Sequence, residues 1–128
     1  MKRLTITIPV ILIFLLASAC KSAPPVNYNS LNKAEFFQKA QEASNKGDYE
    51  IALAYYNHFL AKYPDDIQKG IEADYEIAFI AYKQHDYKKA NRLFSDILDK
   101  YSTDAAQVLP AWPKILSQEI LKEIKEKQ

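Results

Sequence analysis

One cysteine, two histidines and a generous supply of aromatic rings are the side chains in this 128-residue sequence that could do chemistry. Cys20 follows Ala17-Ser18-Ala19, and a lone thiol forms no internal disulfide, so in a secreted chain it would be left reactive unless it had a dedicated use. His58 and His85 have no cysteine or carboxylate at metal-ligand spacing and are expected at the surface. Gly47 and Gly70, the only glycines, are too isolated to cradle a phosphate, and no Ser, His, Asp order carries a nucleophile elbow. No catalytic residue, metal or cofactor is therefore expected. What remains is acylation at Cys20 and binding by rings.

Cys20 is positioned by the segment before it. Met1-Lys2-Arg3 supplies a short basic region, and Leu4 to Leu16 an apolar stretch interrupted only by Thr5, Thr7 and Pro9. That stretch is shorter than the roughly 20 residues a helix needs to cross a bilayer, and it ends in small residues, which predicts a signal peptide rather than a permanent span. Leu16-Ala17-Ser18-Ala19-Cys20 resembles a bacterial lipobox, in which the cysteine becomes the lipidation site. Ala17 stands where that motif prefers leucine, with Leu16 one place earlier. Lys21 follows, not the aspartate that retains lipoproteins at the inner membrane, so the expected place is the periplasmic side of the outer membrane.

The rest of the chain divides into a tether over residues 20–30, a repeat region over 31–104 and a terminal segment over 105–128, after a signal peptide over 1–19. Taking Lys2 and Arg3 from the 17 Lys and Arg leaves 15 against 16 Asp and Glu. Near neutrality without a basic cluster argues against nucleic acid as a partner. Residues 40–52 align with 78–90 at an offset of 38, the difference between Gly47 and His85, and the register continues through Tyr63 and Tyr101. Each copy reads as a helical hairpin. Ala40 and Ala43 let a second helix approach, Gly47-Asp48-Tyr49 makes the turn, and Ala52, Tyr56, Phe59 and Leu60 recur at helical spacing. Asp48 and Asp86 are expected to cap the second helices, and Tyr63-Pro64-Asp65-Asp66 to end the first unit. A last helix, from about Lys114 to Lys127 with Leu116, Ile120 and Ile124 in one stripe, is expected to cover the array, with Trp112 plugging its core and the charged tail solvated.

Small-x-x-small, Gly-Asp-Tyr, alanine, paired aromatics and a closing Tyr-Pro resemble tetratricopeptide repeats, whose usual period is about 34 residues. The implied fold is all-α: a tetratricopeptide-like helical-hairpin array of two repeats plus a C-terminal capping helix, with some four extra residues near Ile67 to Gly70. The lipobox, the short tether, Gly47-Asp48-Tyr49 leading to Lys62-Tyr63-Pro64, and Ala73-Asp74-Tyr75 leading to Ala81-Tyr82 together resemble the BamD family of outer-membrane assembly lipoproteins over about residues 20–104. That family has about five repeats, so the match is to its N-terminal half. The resemblance implies a non-catalytic subunit of the β-barrel assembly machinery. Its implied partners are the periplasmic domains of the barrel insertase, other subunits of the machine, C-terminal peptides of outer-membrane proteins, and the membrane through a lipid anchor. Similar Tyr-Pro repeats occur in the periplasmic repeat protein of the Tol-Pal system, which lacks the acylated cysteine; it keeps open an alternative as a periplasmic scaffold in envelope maintenance or cell division.

In tetratricopeptide arrays the first helix of each hairpin lines a groove. That register places Tyr75, Phe79, Tyr82 and Lys83 there in the second unit, and Phe37, Gln41, Ser44 and Asn45 in the first. Rings suit an extended peptide because they give contact area at low entropy cost, and Lys83 is expected to meet a peptide carboxylate. Tyr75 and Phe37 can equally pack between units.

Overall fold

Helix-favouring sequence, with glycine or proline inside a helix only at Gly70 and Pro113, produces five α-helices in the computed structural model, which describes residues 26–127. The signal segment and Cys20 lie outside the described residues. Helix α1 (Lys33–Lys46) and α2 (Tyr49–Lys62) form one hairpin, α3 (Ile67–Lys83) and α4 (Tyr87–Lys100) a second, and α5 (Ala111–Glu126) closes the array. No strand occurs among the described residues, and no helix there is long and apolar enough to cross a membrane.

The turns repeat as the 38-residue offset predicts. Gly47, at φ +82°, donates its N–H to Ser44 O while Asp48 N–H reaches back to Ala43 O. In the second unit His85, at φ +61°, donates to Tyr82 O and Asp86 to Ala81 O. Both are Schellman stops, in which a left-handed residue lets orphan carbonyls find donors. Helix starts are less uniform. Asn32 and Glu35 form a reciprocal capping box at α1, and the Asp66 and Asp86 side chains accept from Lys69 N–H and Lys89 N–H. Asp48 departs from expectation: it occupies the N-cap of α2, but its side chain accepts no capping hydrogen bond.

Two aromatic and alanine cores result. Phe36, Ala40, Ala43, Ala52, Tyr56 and Phe59 pack the first hairpin, and Ala73 and Ile80 on α3 join them. Ile71, Tyr75, Ala78 and Ala81 on the opposite side of α3 pack with Ala90, Phe94, Ile97 and Ile124. Helix α3 is thus buried on both sides and joins the units. Each large side chain fully withdrawn from water contributes about 1.5 to 3 kcal/mol before entropy is counted. The extra residues of the long repeat are the first turn of α3, which has 17 residues against 14 for each of α1, α2 and α4.

Both ends of the array correct the sequence reading. Tyr28–Ser30, within the expected tether, form a 3-10 turn, and Tyr28 lies over His58 at 3.7 Å between ring centroids and edge-on to Tyr55 at 5.4 Å. Lys62 fastens that turn by donating to the carbonyls of Asn29 and Leu31, each at 2.8 Å. At the other end α5 starts at Ala111 rather than Lys114, because Pro113 lies in the first turn, where no intrahelical N–H bond is lost. Its buried stripe is Pro113, Ser117 and Ile124, with Ile120 and Leu121 partly covered, whereas Leu116 is exposed. The outer side, Ile115, Gln118, Lys122 and Glu126, is polar apart from Ile115, as the end of a repeat array requires.

Candidate functional site

Three rings run along α3 between α1, which Lys83 reaches at Ser44, and α5, which meets them at Trp112 and Glu123. Tyr75, Phe79 and Tyr82 occupy successive turns and stack with centroids 5.9 Å apart at each step, tilted by only 15° and 14°. This ladder lines the strip between α1 and α5, hereafter the trough. On the α1 side, Lys83 crosses to donate to Ser44 Oγ at 2.7 Å, and its ammonium lies over Tyr49 at 5.3 Å and Phe79 at 5.2 Å. On the α5 side, Trp112 meets Tyr75 edge-on at 5.0 Å, and Tyr82 Oη donates to Glu123 Oε2 at 2.6 Å.

The structure sorts the residues that the register selected. Phe79 and Tyr82 are half-buried with ring surface left in the trough, and Asn45 is exposed on the α1 wall. Tyr75 is only 6% exposed and contacts Phe94, so it belongs chiefly to the second core. Phe37 packs edge-on to Tyr56 at 5.5 Å and Phe59 at 5.0 Å, while Gln41 donates to Tyr56 Oη at 3.0 Å. Both support the first hairpin more than they face solvent. Lys83 is not free to receive a carboxylate, because Ser44 and two rings already hold it.

Three contributors were missed or misplaced by the sequence reading. Trp112 does not plug the core: at 37% exposure it forms the α5 wall, with exposed Leu116 one turn further on. The charged tail is not merely solvated, since Lys127 donates to Tyr82 Oη at 2.6 Å and covers the Tyr82 ring at 4.8 Å. Glu76, one residue past Tyr75, gave no motif signal. Its carboxyl is half-buried, and burial raises its pKa against the opposing effects of Gln41 and Lys83. Burial, assisted by Glu76 and Glu119, pushes Tyr75 up to about 12, and burial followed by Glu76 raises Tyr56 too.

Fold and site together define an all-α helical-hairpin repeat array with an aromatic trough along its middle helix. Among the described residues no group of three or more His, Cys, Asp or Glu could hold a metal ion. No family model matches the chain, and no solved structure matches it. The chain is similar to an uncharacterized protein of Treponema pallidum (strain Nichols), 30% identical over 100 residues. That match covers 76% of this chain and 40% of the relative, so the chain spans about two fifths of the relative's length.

Proposed function

We propose that the protein is a non-catalytic scaffold whose trough binds an extended segment of a partner, and that it serves as a lipid-anchored subunit of the machinery that inserts β-barrel proteins into the outer membrane. The observation that carries the binding reading is the ladder of Tyr75, Phe79 and Tyr82 walled by exposed Trp112. Rings held rigid by packing lose little entropy when a ligand covers them, which is why aromatic anchors dominate peptide recognition. The resemblance of the lipobox and repeats to BamD lipoproteins supports the assembly role, with Cys20 as the acylated anchor. The insertase's periplasmic domains and the C-terminal segments of client barrels are then the partners.

The test is a titration of the full chain in detergent with a fluorescent peptide ending in phenylalanine and a free carboxylate. Phe79→Ala with Trp112→Ala should leave the helical fold intact and weaken binding on the order of a hundredfold, the loss of two ring anchors of a little over 1 kcal/mol each. Unchanged affinity in the folded double variant rejects the trough as the binding site.

A further inference from the structure

Exposed apolar side chains gather at one end of the array. The antiparallel hairpins bring the starts of α1 and α3 and the ends of α2 and α4 to that end, and Tyr101 Oη, donating to Pro110 O at 2.6 Å, holds the start of α5 there. Of seven large hydrophobic residues left exposed among the described residues, Val26, Ile67, Val108, Trp112, Ile115 and Leu116 lie in the segments at this end, and Ile51 alone lies at the other. Ile67 and Val108 line one cleft, and Ile67 lines the next with Leu60 and Leu109, so the patch is continuous across both hairpins. Gln68 ties the Val108 loop to α3 by donating to Val108 O at 2.7 Å. The lysines there are engaged: Lys33 pairs with Asp66, Lys69 with Glu72 and Lys100 with Asp74, while Lys62 donates to the carbonyls of Asn29 and Leu31 and so fixes the segment that Val26 begins.

We propose that this end of the array rests directly on the lipid surface, with Val26, Ile67 and Val108 at the boundary between headgroups and acyl chains. The inference rests on the reading that Cys20 is acylated, and it adds how the array then stands on the membrane. From Cys20 to Val26 are six residue steps, which reach at most about 20 Å, so an anchored chain holds its Val26 end beside the lipid. A continuous apolar patch on a surface marks a contact, and aliphatic side chains gain by leaving water for an acyl boundary. Among the described residues Asp65 and Asp104 have no ion-pair partner within 4.0 Å, and they offset Lys62 and Lys114. This end therefore carries no surplus of positive charge, and its contact is apolar rather than an attraction to anionic headgroups. The trough stays open, because its ladder begins at Tyr75, about two turns along α3 from Ile67.

Single-tryptophan versions of the full chain report the contact. Trp112→Phe removes the one native tryptophan, and Val108→Trp or Ile51→Trp, each at an exposed position, then supplies one at either end of the array. Each version is reconstituted with phosphatidylcholine vesicles whose acyl chains are plain or brominated near the headgroup. Emission from the Val108→Trp chain should shift to shorter wavelength and be quenched by the brominated lipid, whereas emission from the Ile51→Trp chain should do neither. Adding Ile67→Glu, also at an exposed position, to the Val108→Trp chain should remove most of the quenching while the protein still floats with the vesicles, because the anchor is untouched. Chains that float with the vesicles but show no quenching at either position, or equal quenching at both, overturn this proposal alone. Quenching that appears only when phosphatidylglycerol is added overturns the apolar contact in favour of a charged one. Failure of the wild-type chain to float with the vesicles overturns the proposal together with the anchor reading.

Discussion

Glu76 is a single residue whose environment makes a claim about pH. Burial holds its carboxyl above the ordinary carboxylate range, with Gln41 and Lys83 only partly opposing. The folded chain therefore binds this proton more tightly than the unfolded chain, and the charged form costs stability. The cost is absent below the unfolded pKa, grows as pH rises through the folded one, and is constant above it. Glu76→Gln should accordingly melt at a higher temperature than wild type at pH 7, and the gap should close as pH falls to 4. A gap independent of pH would mean that the carboxylate's charge is not what costs stability. Asp66 has the opposite sign. A hydrogen bond from Lys33 and another from Lys69 N–H lower its pKa, so its contribution is present at neutral pH and is lost as pH falls through the lowered value.

Between elements, the informative comparison is Gly47 with His85, because the same Schellman stop is built with and without a side chain. A left-handed conformation costs a residue with a Cβ roughly 1 to 2 kcal/mol, and histidine tolerates it better than most. Replacing His85 by glycine removes that cost but loses the contact of His85 Nδ1 with Tyr87 Oη at 3.0 Å and loosens the unfolded chain. The expected net effect of His85→Gly is a gain below about 1 kcal/mol, while Gly47→Ala should lose about that amount or more; thermal melts of the two variants check both. These turns were legible in the sequence because Gly-Asp-Tyr and His-Asp-Tyr sit at one offset and a left-handed stop has few chemical solutions. The aspartate caps were legible only as possibilities: Asp48 and Asp86 occupy equivalent positions with nearly the same backbone angles, yet only the Asp86 side chain accepts a bond. The α5 wall was not legible, because two prolines around Ala111-Trp112 read as a break and a first-turn proline does not break a helix. Glu76 was hidden for a different reason: a lone glutamate on a helix acquires meaning only from what crosses above it.

For the molecule as a whole, the question is how strongly the two units and the terminal helix act as one body. Each repeat contacts its neighbours alone, so stability is expected to divide among hairpins and the interfaces between them. Helix α3 serves both cores, through Ala73 and Ile80 on one side and Tyr75, Ala78 and Ala81 on the other, so the hairpins are coupled through it. Helix α5 is joined differently. Besides the Pro113 ring in its first turn, Ile124 is its one fully buried aliphatic side chain, and it belongs to one core with Phe94, Ile97 and Ala90. Trimming it leaves a cavity that a rigid helix pair only partly closes, which typically costs 2 to 5 kcal/mol. Ile124→Ala should therefore destabilise by about that much, and the loss should be uneven. Hydrogen exchange should quicken most in α5 and α4 and least in α1 and α2, whose core has no atom from α5. A uniform loss across all five helices would show one cooperative body instead. Because α5 supplies Trp112, the same variant should weaken peptide binding even where α1 and α2 keep their full protection.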